Sequence, residues 1–153
     1  MRLLIATLAV LGMTGCVLLP DASAQERPAD AATVLDLLKA RGLPIGETVT
    51  YTAESDPNKL LGRPGGYASK VAWRDSRVTP DTEMGVSAGG SVEMFDTVES
   101  ARARKEYVSK IAASSPLFSE YTFVQGRIVV RVSHDLTPEQ AEQYAAVLRD
   151  LPS

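Results

Sequence analysis

The sequence contains one cysteine and one histidine in 153 residues, and this scarcity limits the chemistry that the chain supports. The cysteine, Cys16, lies in an apolar N-terminal segment, so the chain cannot form an internal disulfide and has no thiol after that segment. A zinc site of the Cys/His type needs more ligands of these types than the chain contains. We therefore predict neither a metal ion nor a cofactor.

Basic charge is also scarce. Lys and Arg number 16 against 19 Asp and Glu, which gives a net charge of −3. Because nucleic-acid binding requires a basic surface, this balance argues against a nucleic-acid partner. Hydrophobic residues make up 44% of the chain and charged residues 23%, which are ordinary values for one globular domain.

Long apolar runs are absent except at the N-terminus, where Leu3 to Leu19 follows the positive charge of Arg2. A short basic region followed by such a run is typical of a secretory signal peptide. We interpret residues 1–24 as this signal. Residues 25–29 are then a short tether, and residues 30–153 form a single domain.

Two cleavage sites are open within the signal. The small residues of Ala22–Ala24 fit cleavage after Ala24, which would release a soluble secreted protein. The stretch Met13–Cys16 resembles a bacterial lipobox, in which a lipidated cysteine follows small residues. Cleavage before Cys16 would leave a lipoprotein at the outer face of the cytoplasmic membrane. We favour this second alternative, with Cys16 as the lipidation site and the membrane as a partner.

Periodicity in the domain predicts the element order α-β-β-β-α-β-β-α. Apolar residues at helical spacing predict helices that begin near Asp30, Asp96 and Thr137. Alternating apolar and polar residues predict the strands ETVTYTAE, SKVAWRDSRV and GGSVEMF and the hairpin EYTFVQGRIVVRVS. Because β-α-β alternation is absent, we expect the α+β class, with a single antiparallel sheet of about five strands and helices packed on one face.

Local signals predict where some of these elements begin and turn. Asp96–Glu99 has the spacing of a capping box, and Pro138 occupies the preferred first position of the last helix. Gln125-Gly126 is expected to form the two-residue turn of the hairpin. Alternation along the second hairpin strand places Val130 in the core and Arg131 toward solvent.

The most distinctive segment is ESDPNKLLGRPGGY, Glu54 to Tyr67, which is unusually long for a connection between two strands. Its glycine amides, together with its two basic side chains, suit an anion such as a carboxylate or a phosphate. We predict a ligand-binding or partner-binding site here, made by Asp56, Asn58, Lys59, Arg63, Gly65, Gly66 and Tyr67. The alternative is an ordered loop whose two leucines close the edge of the core.

Signatures of catalysis are weak. Ser133, His134 and Asp135 are the residue types of a hydrolase triad, but neighbours in sequence do not present the geometry of a triad. A Gly-x-Ser-x-Gly elbow is absent from the sequence. The second long connection, RVTPDTEMGVSAGG, is expected to be a mobile loop. We assign no catalytic residue, and a small hydrolase that uses His134 is kept as an alternative.

Three stretches carry a resemblance: LLKARGLPIGETVTYTAESDPNKLLGRPGGYASKVAWRDSRV, GGSVEMFDTVESARARKEYV and RIVVRVSHDLTPEQAEQYAAVL. They resemble a family of small exported proteins of high-GC Gram-positive bacteria, many with a lipoprotein leader and without an assigned activity. The part SDPNKLLGRPGGY is the most specific. The resemblance implies export, one compact domain and lipidation at Cys16, and it implies no catalytic residue.

These observations together predict an exported, membrane-tethered, non-catalytic envelope module that binds an envelope protein or a small ligand. The first alternative is a soluble secreted protein. The others are a small hydrolase and an inhibitor or immunity-type partner of another exported protein.

Overall fold

The computed structural model of the protein describes residues 28–79 and 83–152. The predicted signal peptide, with Cys16 and both cleavage sites, and most of the predicted tether lie outside these residues. Within them, none of the helices is both long and apolar enough to cross a membrane. The helices are α1 (Ala31–Ala40), α2 (Val98–Ser114) and α3 (Pro138–Arg149), and short 3-10 turns lie at Val86–Ala88 and Pro116–Phe118.

The strands form one antiparallel sheet in the order β1-β2-β3-β5-β4. They are β1 (Ile45–Thr50), β2 (Tyr67–Asp75), β3 (Gly89–Phe95), β4 (Glu120–Gln125) and β5 (Ile128–Ser133). The predicted α+β class, the antiparallel sheet of five strands and the predicted order of helices and strands are confirmed. β1 and β4 are the edge strands, and β3 lies at the centre between β2 and β5.

The placement of the helices differs from the prediction that all of them pack on one face. α1 and α3 cover one face, where Val34 and Tyr144 pack with Trp73 of β2. α2 lies on the opposite face, where Arg104 donates two hydrogen bonds to Glu93 of β3. This second face carries buried charged groups, which need partners of opposite charge. α2 covers the face and contributes such a partner, Arg104.

The predicted helix caps at the two ends of the domain are present. The side chain of Asp30 accepts a hydrogen bond from the backbone N–H of Thr33, at 2.8 Å, and begins α1. Thr137 and Gln140 form a reciprocal capping box at the start of α3. Local sequence patterns were sufficient to predict where these helices begin, because each cap involves residues only three apart in sequence.

Two local predictions were wrong by one residue, and two strands were displaced. The cap of α2 is Thr97, whose side chain accepts from the backbone N–H of Ser100, rather than Asp96. The hairpin turn consists of Gly126 and Arg127, because the preceding residue still pairs with the start of β5. Gly126 has a φ of +53°, which glycine adopts without steric cost. β1 and β2 each begin two residues earlier than the predicted strands.

Candidate ligand-binding cleft

The loop between β1 and β2 is ordered around the buried carboxylate of Asp56. This carboxylate accepts hydrogen bonds from the backbone N–H groups of Leu60 and Leu61, at 2.8 and 3.2 Å. It also accepts from the Tyr67 hydroxyl at 2.7 Å and from Lys70 Nζ at 3.0 Å. Burial opposes the ionisation of Asp56, but the hydrogen bonds from Tyr67, Leu60 and Lys70 outweigh it and hold its pKa below the usual range.

The loop therefore holds an anion of its own, the Asp56 carboxylate. The donors to this carboxylate are not the glycine amides and basic side chains that the sequence suggested for an external anion. Other amides of the loop donate to loop carbonyls, such as Arg63 N–H to Leu60 and Gly66 N–H to Arg63. Lys59 Nζ donates to the carbonyl of Glu54 at 2.7 Å. A Cβ placed at Gly66 would overlap the carbonyl oxygen of Leu60, so this turn requires glycine. The loop geometry agrees with the alternative of an ordered loop.

The predicted binding residues separate into three groups in the structure. Asp56 and Tyr67 are buried and bonded to each other, and Gly66 is buried in the turn. Lys59 and Arg63 are exposed and do not line the cleft described below. Asn58 and Gly65 line a cleft that adjoins the loop. Because two of the predicted residues line this cleft, we take the cleft as the candidate site, and binding at the loop itself stays a prediction.

The cleft lies between α2 and the second face of the sheet and has a volume of about 770 Å³. α2 forms one wall through side chains between Ser100 and Ile111. The loop lies at one end of the cleft, and the β5–α3 connection with the 3-10 turns lies at the other. The main apolar residues of the lining are Leu60, Val86, Phe95, Tyr107, Val108, Ile111, Leu117 and Phe118.

The floor of the cleft carries a buried ion-pair network. Glu93, which is fully buried, accepts from Arg104 Nε at 2.8 Å and from Arg131 Nη1 at 3.0 Å. Arg131 also donates two hydrogen bonds to Glu120, at 2.6 and 2.5 Å. Burial opposes the charge of Glu93, but Arg104 and Arg131 outweigh it and lower the pKa of this carboxyl. Arg131 was predicted to face solvent, and that prediction was wrong because α2 covers its face of the sheet.

Asn58 joins this network to the Asp56 cluster. In the amide orientation that satisfies its neighbours, its oxygen accepts hydrogen bonds from Lys70 Nζ at 3.0 Å and from Arg104 Nη2 at 3.3 Å. The continuous network then contains three acidic and three basic side chains: Asp56, Glu93, Glu120, Lys70, Arg104 and Arg131. Their formal charges cancel, and each one is paired with another side chain of the protein.

The rim of the cleft is apolar and exposed. Tyr107 is 58% exposed, Leu117 is 86% exposed and Phe118 is 60% exposed. Among residues 28–79 and 83–152, these are the large hydrophobic side chains that are exposed, and all three line this one cleft. A grouping of exposed apolar side chains at one place marks a binding surface more often than scattered ones do.

A hydrolase triad is not formed by Ser133, His134 and Asp135, which lie at the end of the cleft opposite the loop. Ser133 Oγ donates to the carbonyl of Ser87 at 3.2 Å, so the hydroxyl is not bonded to the histidine. His134 Nε2 lies 3.3 Å from Asp135 Oδ1, and both side chains are about half exposed. In the described ranges, no group of three or more His, Cys, Asp or Glu side chains is placed to hold a metal ion.

The ion-pair network was not predicted, although one residue of the sequence indicates it. Glu93 interrupts the otherwise uncharged strand GGSVEMF at its centre. A charged residue in the middle of a central strand requires a partner that is also buried. Arg104 lies between Ala101 and Val108, the two buried residues of α2, which places it on the inner face.

No protein-family model, curated protein or solved structure matches this chain. The cleft is therefore interpreted from its own geometry.

Proposed function

We propose that this protein is a non-catalytic binding module that takes a small, uncharged and largely apolar ligand in the cleft between α2 and the sheet. The observation that carries the proposal is a cleft of about 770 Å³ whose lining exposes more apolar than polar surface. This volume falls within the range of ordinary small-molecule sites. A concave site of this size favours a small ligand over an envelope protein.

The ion pairs in the floor support an uncharged ligand. Arg104, Arg131 and Glu93 already form charge-assisted hydrogen bonds with one another. A charged ligand that recruited one of these groups would leave its present partner buried and unpaired, which costs several kcal/mol. An uncharged ligand makes no such demand, and its apolar surface gains about 25 cal/mol per Å² buried in the cleft.

The proposal also includes export and tethering through a lipidated Cys16. Its support is the leader sequence, with an apolar run after Arg2 and a lipobox-like stretch at Met13–Cys16, together with the resemblance to exported proteins. Secretion as a soluble protein after cleavage at Ala24 is the alternative. Both forms would present the same cleft.

Titration with the uncharged apolar dye Nile Red tests the binding proposal. We expect fluorescence enhancement at a single site and a dissociation constant raised at least about tenfold in the variant Ala103→Trp. Ala103 is exposed and lines the cleft, so a large side chain fills the cleft without disturbing the core. Lys110→Ser, an exposed change on α2 outside the cleft, is the matched control and should bind as the parent does. Equal binding by the parent and Ala103→Trp would refute the site.

A further inference from the structure

We infer that the cleft takes the acyl chain of a membrane lipid, while the lipid headgroup stays in solvent outside it. This inference rests on the proposed function and adds the chemical class of the ligand. The inference is based on the length of the cleft, on its exposed apolar rim and on its floor, where the charges cancel.

The cleft extends along α2. The helix residues that line it run from Ser100 to Ile111. At 1.5 Å of rise per residue this is about 16 Å, or three turns of helix. A slot of this length suits an extended chain, whereas a compact ring system would fill only part of it.

The exposed apolar rim of the cleft suits contact with a lipid surface. Leu117 and Phe118 lie in the 3-10 turn after α2, and the exposed Tyr107 of α2 lines the same cleft. Leucine and aromatic side chains exposed together are favoured at the boundary between headgroups and acyl chains, where their apolar surface leaves water. The same side chains line the cleft, so the exposed apolar surface is part of the cleft itself.

The floor explains why the headgroup would stay outside. The guanidinium groups of Arg104 and Arg131 are paired with Glu93 and Glu120, so neither is open to a phosphate. The aliphatic stems of arginine side chains still present apolar surface to a chain lying over them. Recognition would then depend on the chain and little on the headgroup.

The proposed tether places the cleft within reach of such lipids. Between a lipidated Cys16 and the first described residue, Pro28, lie eleven residues, Val17 to Arg27. Fully extended, they reach about 40 Å. A domain held this close to the membrane meets acyl chains at high local concentration.

Competition against Nile Red tests the inference. The competitors are 1-myristoyl lysophosphatidylcholine below its critical micelle concentration, glycerophosphocholine as the same headgroup without a chain, and naphthalene as a compact apolar ligand. We expect displacement by the lysolipid and none by glycerophosphocholine. The double variant Leu117→Ser/Phe118→Ser should weaken the displacement by the lysolipid about tenfold or more, and Lys110→Ser should leave it unchanged.

The possible failures are distinguishable. Displacement by naphthalene but not by the lysolipid overturns the acyl-chain inference and leaves the proposed function standing. Absence of Nile Red binding removes both. Sedimentation tests for a dimer. If Leu117→Ser/Phe118→Ser converts a dimer to a monomer and leaves displacement by the lysolipid unchanged, the inference is overturned. The rim is then an interface between copies of the chain.

Discussion

At the scale of single residues, the carboxylate of Asp56 sets the conformation of the loop between β1 and β2. Two backbone amides, the Tyr67 hydroxyl and the Lys70 ammonium converge on it. The sequence showed that this segment was unusual, but both explanations, ligand binding and an ordered loop, use the same residue types. The two explanations differ in whether the side chains point into the loop or toward a ligand. That direction depends on contacts with β2.

Removing the Asp56 carboxylate should destabilise the fold strongly. Asp56→Ala leaves the buried ammonium of Lys70 without its carboxylate partner, and we expect a loss of about 3–5 kcal/mol in the free energy of unfolding. Glu142→Ala breaks the exposed pair with Arg149 and should cost less than about 1 kcal/mol. Urea unfolding of both variants measures the difference, and equal losses would contradict the structural role of Asp56.

The acid sensitivity of the fold should follow from its buried carboxyls. Asp56, Asp75 and Glu93 all have pKa values lowered in the folded state, where hydrogen bonds and positive side chains outweigh the effect of burial. The folded state therefore binds fewer protons than the unfolded state near their ordinary pKa values. The resulting stability is present above about pH 4 and is lost as the pH falls through the lowered values.

Urea unfolding between about pH 7 and pH 3 tests this dependence. We expect a nearly constant free energy of unfolding down to about pH 5 and a steep fall below about pH 4. Asp56→Asn should show a shallower fall, because one of the responsible carboxyls is missing. A parent protein that is equally stable at pH 3 and pH 7 would contradict the assignment.

At the scale of secondary-structure elements, the sequence predicted what depends on near neighbours. Helix periodicity and the caps at Asp30 and Thr137 are local, and the structure confirms them. The position of α2 is not local, because it depends on which face of the sheet lacks a cover. Arg131 alternates with apolar residues in β5, a pattern that is the same whether its face meets water or a helix. The sequence therefore predicted a one-sided sheet where the structure has two covered faces.

The ion pair between α2 and β3 should contribute measurably to holding the helix in place. α2 buries only Ala101 and Val108 as apolar residues, so Arg104 is an important contact with the sheet. Arg104→Ala should cost about 3 kcal/mol, because Glu93 keeps Arg131 but loses two hydrogen bonds.

The exposed residue Arg102 provides a matched control on the same helix. Arg102→Ala should change the free energy of unfolding by less than about 0.5 kcal/mol. Hydrogen exchange should report faster exchange of the α2 amides in Arg104→Ala alone. The same exchange rates in both variants would show that the ion pair does not hold the helix.

At the scale of the whole molecule, the cleft could not be predicted from any one stretch of sequence. Its lining combines Leu60 of the loop, Arg104 of α2 and His134 of the β5–α3 connection, which are far apart along the chain. Sheet order and the position of α2 bring them together. The residues that the sequence selected at Asn58 and Gly65 lie at one end of this cleft, so the distinctive loop indicated the neighbourhood but not the site.

The proposed anchor is also a property of the whole molecule, since it determines where the cleft would act. We expect the mature protein from its native host to occur in the membrane fraction, to begin at Cys16 and to carry added acyl mass. Cys16→Ser should move the protein to the medium. Intact-mass measurement of membrane and medium fractions tests this, and a parent protein found only in the medium and beginning at Gln25 would contradict the anchor.

The most direct test of the account is a map of backbone amide chemical shifts during titration with Nile Red. The account predicts that the largest changes fall on residues that line the cleft, with Phe95, Ala103, Ile111 and Ser133 among them. Changes confined to Lys59 and Arg63 on the exposed side of the loop would return the binding site to the loop. Either that result or the absence of any change at saturating dye would contradict a ligand cleft beneath α2.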